Sequence, residues 1–377
     1  MTREKEGTEI YTIANIRPMG QNVGNHAIHF GLKQLIYRAF GRLVSVIDYP
    51  SGPLPGDSGV TGLTAESVNE INRFADGVIV GGGNLYENGS LKIERTALHA
   101  LKPPLMLFSN SWGRTYDRFD VLNQRSDSIN TSDLSALVQR ADISLSRDSA
   151  THNLITTMGL DDSLGLCPTI GLSQHLSQLP PLPESEDVGA LISIRTPQLM
   201  NVSARHQRRI PETIEQVIDL LRSNGYGRVR ILCNDKRDLD FATLFKFKDS
   251  RGVDSIFTSD VYEYLSLLRK AEFLVSFRLH ATLPAISFGT PLVNLSYDER
   301  ASSLIRDLDV EASNINLVEE NENLSFLLEK KIGEGGFVAP TLIRQKWKAW
   351  NEDQLAHFMR FKTMVTEYIE QEPDRRQ

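Results

Sequence analysis

Two doubly wound α/β domains facing a cleft are the fold class this sequence predicts, on three observations. Short apolar runs alternate with amphipathic helical segments, and a repeated strand-then-helix alternation implies parallel sheets covered by helices. The alternation stops in a polar stretch at residues 171–187, with prolines at Pro180, Pro181 and Pro183, and restarts beyond it as it would across a linker. At 377 residues the chain is long for one domain and sufficient for two. The expected division is an N-terminal domain over residues 1–175, a C-terminal domain over residues 188–340 and a final segment over residues 341–377.

Residues 9–16 alternate into a first strand. A helix then runs to Phe40 with Ile28, Leu32, Leu35, Ile36 and Ala39 on one face, and Asn25 is its expected N-cap. Residues 43–47 form a second strand, followed at 50–62 by a Pro/Gly-rich loop that is longer than a connection needs and so a candidate lining for a site. Val78, Ile79 and Val80 form a third strand that runs into Gly81-Gly82-Gly83-Asn84. Strands at 105–109 and 143–146 follow, and Arg147-Asp148-Ser149 opens a helix that Gly159 closes. In the second half the strands fall at 188–194, 229–233, 253–257, 273–277 and 291–296. The helices between them fall at 211–224, 238–245, 261–270 and 281–288. Residues 341–371 form one long helical pattern.

Composition narrows the function classes. With 41 basic and 48 acidic side chains the net charge is −7, so nothing global favours nucleic acid, and an anionic ligand must be held by local cations. Two cysteines, Cys167 and Cys233, with no CxxC and no Cys/His cluster, fit a reducing compartment and offer no metal ligand set. The first residues lack an apolar signal core and no window approaches a membrane span, which gives a cytoplasmic expectation.

The chemistry concentrates at Arg278-Leu279-His280. A buried parallel strand ends there in a strong cation and a titratable imidazole, the edge at which open α/β sheets bind ligands, and a helix entrance beside them favours anions. Ile192-Ser193-Ile194-Arg195 ends the first strand of the second half in the same way. Other strings have plainer readings as well: Asn22-Val23-Gly24-Asn25 also suits a turn and cap, the glycine run a tight strand exit, and Arg147-Asp148 a surface ion pair. His280 itself suits either a structural donor or a proton carrier. Along the tail, Trp347, Trp350, Phe358 and Phe361 suit packing against the domains, with a peripheral membrane contact as the second use.

Taken in order, these elements resemble the polysaccharide pyruvyl transferases. The resemblance rests on Arg195, Arg278-Leu279-His280, Gly289-x-Pro291 and Tyr297-Asp298, with Asn22-x-Gly24-Asn25, Gly82-Gly83-Asn84 and Arg147 as weaker matches. Asn25 and Cys167 stand where the family commonly has Asp. The resemblance implies a two-domain fold of the GT-B type whose last helix crosses back to the first domain, no cofactor, and transfer of pyruvate from phosphoenolpyruvate to a sugar as a ketal. It also implies that Arg195 and Arg278 grip the donor, that His280 gives a proton to the enol methylene, and that Asn22, Gly24, Asn25, Gly82, Gly83, Asn84, Arg147 and Leu279 line the substrate site. The acceptor would be a glycan or a lipid-linked sugar at the inner membrane face. A nucleotide-sugar glycosyltransferase and a non-catalytic glycan-binding relative are the competing readings, and the oligomeric state is open.

Overall fold

The computed structural model describes residues 10–53, 60–87, 89–184, 186–244 and 253–372. In the first half the strands are β1 (Tyr11–Arg17), β2 (Val44–Pro50), β3 (Gly77–Gly83) and β4 (Leu105–Asn110), then a small hairpin of β5 (Thr115–Tyr116) and β6 (Leu122–Asn123), then β7 (Ile143–Ser146) and β8 (Ser163–Leu164). Helices α1 (Val23–Phe40), α2 (Ala65–Phe74), α3 (Arg95–Ala100), α4 (Thr131–Arg140) and α5 (Ser149–Thr157) connect them. The second half holds β9 (Ala190–Ser193), β10 (Val229–Cys233), β11 (Val253–Phe257), β12 (Phe273–Ser276), β13 (Leu292–Ser296) and β14 (Asn314–Asn316). Its helices are α6 (Ala204–Ser223), α7 (Lys236–Leu244), α8 (Val261–Lys270), α9 (Leu279–Phe288), α10 (Glu299–Asp307), α11 (Leu324–Gly333) and α12 (Thr341–Gln371).

Two parallel sheets result, ordered β2-β1-β3-β4-β7-β8 and β11-β10-β9-β12-β13-β14. In each, the chain winds outward from an interior strand and then returns to that strand's other side, so the order reverses between β1 and β3 and between β9 and β12. Ligands of doubly wound sheets bind outside the strand C-termini at such reversals. The residues that leave β1, β3, β9 and β12 are therefore the ones brought to a common crevice.

Several boundaries depart from the sequence expectation for physical reasons. Helix α1 is capped by Asn22, whose side chain accepts from the Gly24 amide at 3.0 Å, so Asn25 lies in the first turn instead of at the cap. The glycines read as a strand exit belong to β3 itself: Gly81 pairs with Phe108 and Gly83 with Asn110. At Gly82, φ is +81° and a Cβ would fall 2.4 Å from Ile28 Cγ2, so glycine lets α1 press onto the sheet. Helix α6 begins well before the expected start at Pro211, because His206 and Ile210 are buried on the face that carries Ile214, Val217 and Leu221. That burial outweighs the hydrogen bond a proline removes. The first residues of the expected 171–187 linker, 171–178, belong to a 3-10 helix, Pro168–Gln178, packed against α9. Residues 54–59 of the 50–62 loop, and Phe245 at the end of the expected 238–245 helix, lie outside the described residues.

Helix α12 crosses between the halves. Near its start Trp347 is buried in the core beneath the second sheet and donates from Nε1 to the Leu308 carbonyl at 3.1 Å. Farther on, Phe358, Phe361 and Val365 are buried with Ile13, Leu32 and Phe108 under the first sheet. Three of the four tail aromatics are thus inside cores, and the fourth, Trp350, is half-buried and carries Lys346 over its ring. Among the described residues no helix is long and apolar enough to cross a membrane.

Candidate active site

A cavity of about 1180 Å³ opens between the strand C-termini of the two sheets. Asn22, Asn25, Asn84 and Arg147 line it from the first half, and Arg195, Arg278, Leu279 and His280 from the second. Gly24, Gly82 and Gly83 do not line it. Gly24 acts by its size: a Cβ there would fall 2.4 Å from His280 Cβ, so the first turn of α1 seats directly against the imidazole.

Arg147 is fully buried, not a surface residue. It donates from Nε to Ser111 Oγ at 2.7 Å and from Nη2 to Asn84 Oδ1, and Nη1 lies 3.3 Å from His280 Nε2. Since a guanidinium only donates, the imidazole accepts at Nε2 and carries its proton at Nδ1. The strand exit at Asn84, the helix entrance at Arg147 and the signature histidine thus form one chain of contacts across the two halves. His280 opens on the cavity but is otherwise enclosed. Burial pushes its pKa well below the usual histidine value, and Arg147, Arg278, Arg300 and Arg195 push it the same way, so the free protein holds it neutral.

Arg278 is more tied down than its sequence reading implies. Its Nε donates to the Ile194 carbonyl at 3.0 Å, and Nη2 donates to Asp235 at 3.1 Å and to Asp238. Burial, with Arg195 beside it, lowers its pKa to about 9. Arg195 is freer: its ion pair is a 3.3 Å contact with Asp235, and its side chain is 17% exposed. Asp235 also pairs with Arg237 at 3.1 Å. Burial raises the Asp235 pKa, but the arginines, Arg278 foremost, override this and hold it below the usual carboxylate range.

Four helices start at the cavity, and at one of them, α7, Asp235 accepts from the Arg237 amide at 2.9 Å. Asn22 caps α1 and Asp298 caps α10, whereas the residue before α9 is Arg278, whose side chain caps nothing. The α9 entrance therefore keeps the positive end of a helix for an anion, as the sequence suggested.

Three site features escaped the sequence reading, which had named only Asp298 among their residues. Asn234, fully buried, receives a hydrogen bond at Oδ1 from Ser193 Oγ at 2.9 Å, donates to Tyr264 at 2.9 Å, and its carbonyl accepts from the Val23 amide at 3.0 Å, which fastens α1 to the second half. Asp235 and Asp238 hold Arg278. A cluster of Glu87, Arg125, Asp298 and Arg300 lines or backs the other end of the cavity, with Arg300 Nη1 2.8 Å from Glu87 and Nη2 on Asp298. The only signal for Arg300 was its place two residues beyond the Tyr297-Asp298 string. Among the described residues no group of three or more His, Cys, Asp or Glu side chains is placed to hold a metal ion.

The profile of the polysaccharide pyruvyl transferases matches residues 22–299, which take in the cavity lining from Asn22 to Asp298. The chain belongs to that family. It is accordingly a transferase of the polysaccharide pyruvyl transferase type, and the family implies a sugar or glycan acceptor. No curated protein matches the chain. Among solved structures, the chain is similar to the UDP-GlcNAc 2-epimerase of Methanocaldococcus jannaschii in complex with UDP-GlcNAc and UDP, at 13% identity and a TM-score of 0.52, covering 90% of this chain and 99% of that one. It is similar also to a Listeria monocytogenes protein provisionally named a UDP-N-acetylglucosamine 2-epimerase, at 14% identity and a TM-score of 0.52, covering 90% and 95%. At that identity the likeness concerns the fold: two facing Rossmann-like sheets of the GT-B type.

Proposed function

We propose that this pyruvyl transferase takes phosphoenolpyruvate as donor and forms a pyruvate ketal on a sugar. The observation that carries the reading is the convergence of Arg195, Arg278 and His280 on the uncapped entrance of α9, with Arg147 behind the imidazole. Phosphoenolpyruvate has a carboxylate and a phosphate, and guanidiniums beside a helix N-terminus meet both. Arg195 is the freer anchor. Arg278, fixed by two carboxylates, presents a rigid edge and supports Asp235 and Asp238 in return.

The neutral state of His280 suits this chemistry once the donor is bound. Two anionic groups among the arginines offset the field that suppresses imidazole protonation, so the pKa rises only when substrate is present. The imidazolium then gives its proton to the enol methylene carbon, and C2 becomes an oxocarbenium-like electrophile. One sugar hydroxyl bonds to C2 and loses its proton. The second hydroxyl then displaces phosphate, whose C–O bond breaks, and the products are ketal and inorganic phosphate. One positioned acid of this kind contributes roughly 10² to 10⁴ in rate.

The test is release of inorganic phosphate from phosphoenolpyruvate on addition of glycan acceptors, followed by ³¹P NMR. The reading expects phosphate to appear with acceptor and to be lost in His280→Gln. Release of nucleotide from UDP- or GDP-sugars, with phosphoenolpyruvate left intact, would replace it by the glycosyltransferase reading.

A further inference from the structure

The cavity is far larger than phosphoenolpyruvate, and its two ends differ in charge. At the donor end Arg195, Lys236, Arg237 and Arg278 face Asp235, Asp238 and Asp240, four cations against three carboxylates. At the other end Arg125, Arg147 and Arg300 face Glu87, Asp127, Asp148 and Asp298, three cations against four carboxylates. Tyr297 lies within electrostatic reach of both Arg278 and Arg300 and joins the two ends.

We propose that the Glu87–Arg300–Asp298 cluster is the acceptor subsite and that it takes an uncharged sugar in preference to a uronate or another anionic glycan. The inference rests on the pyruvyl-transfer reading of the same cavity. Arg300 is held at both Nη atoms and along its stem: Nη1 lies 2.8 Å from Glu87 Oε2, Nη2 bonds Asp298, and a Cβ on Gly113 would fall 2.4 Å from its Cγ. Glu87 is in turn fixed by the Gly113 amide at 3.0 Å, and Asp298 by the Ala301 amide at 2.9 Å. Thr115 of β5 bridges to Asp298, so the hairpin holds the start of α10 in place. A rigid alternation of donors and acceptors suits sugar hydroxyls, each of which both gives and receives a hydrogen bond. An anion would instead meet the Asp298 carboxylate beside an Arg300 whose charge is already matched by Asp298 and by Glu87 buried behind it. Burial raises the Glu87 pKa against the pull of Arg300, and with Glu87 either charged or neutral the cluster has no positive excess.

The experiment is saturation-transfer NMR on the phosphoenolpyruvate-loaded protein, with methyl β-D-galactopyranoside, methyl α-D-mannopyranoside and methyl β-D-glucuronide as probes. At least one neutral glycoside is expected to bind at least tenfold more tightly than the glucuronide. Asp298→Asn should narrow that gap several-fold. Asp127→Asn, at a half-exposed carboxylate where folding is not at stake, should narrow it less. Equal binding of glucuronide, or no binding of either neutral glycoside, overturns the proposal. The same titrations without phosphoenolpyruvate should show the same preference at lower affinity, so a failure of the donor reading is registered separately from a failure of the acceptor assignment.

Discussion

His280 is neutral in the free protein because it is enclosed and faces four arginines, and this sets a pH dependence of stability. A histidine whose folded pKa lies below its unfolded value of about 6.5 contributes fully above that pH, and the contribution is lost as pH falls, since the unfolded chain binds the proton first. At pH 5.5 the loss reaches about 1.4 kcal/mol if the folded imidazole is still neutral. His26 and His29, lowered chiefly by burial, act in the same direction, so one substitution must isolate the effect. Denaturant midpoints of wild type and His280→Gln are expected to diverge between pH 7.5 and 5.5, with the wild type losing the more stability. Parallel pH curves would show that the imidazole is not held neutral. At this scale the sequence was legible where the site is contiguous: Arg278, Leu279 and His280 stand together at a strand end, and chemistry and position agree. It was illegible at Asp235, Asp238, Glu87 and Arg300, which are ordinary charged letters until the two sheets close on one another.

At the scale of elements, the long final helix reads clearly because its period is sustained, and its expected course back to the first half is where it lies. Phe358 of α12 is fully buried and meets Phe108 of β4 edge to face at 4.9 Å between ring centroids. Phe358→Ala should destabilise the protein by about 3–5 kcal/mol. Met359→Ala, one residue on and 46% exposed, should stay within about 0.5 kcal/mol. Urea midpoints of the two variants check the contrast, and equal small losses would mean that α12 is not anchored to the first half. Elsewhere local rules failed for identifiable reasons. Gly81, Gly82 and Gly83 read as a strand exit, yet ladder bonds to β4 and the approach of Ile28 keep them in β3. Pro211 read as a helix start, yet tertiary burial of His206 carries α6 through it.

For the whole molecule, the two-sheet architecture follows from the alternation of strand and helix on either side of a proline-rich stretch, whereas the contacts that close the halves on each other do not. The Val23 amide on Asn234, Gly24 against His280, and the pairing of Arg114 with Glu299 join segments far apart in the chain. Only the assembled cavity shows that cations outnumber carboxylates around Arg195 and Arg278 and do not around Arg300. The central claim, that this cavity is built for phosphoenolpyruvate, is tested most directly by calorimetric titration of phosphoenolpyruvate into the wild-type protein and into Arg195→Gln. Arg195 is the cleaner target because Arg278→Lys would also leave Asp235 and Asp238 without their guanidinium. Saturable binding to the wild type is predicted, weakened at least tenfold in Arg195→Gln and not displaced by UDP-GlcNAc. Heat from UDP-GlcNAc with none from phosphoenolpyruvate, or equal affinity in both proteins, would contradict it.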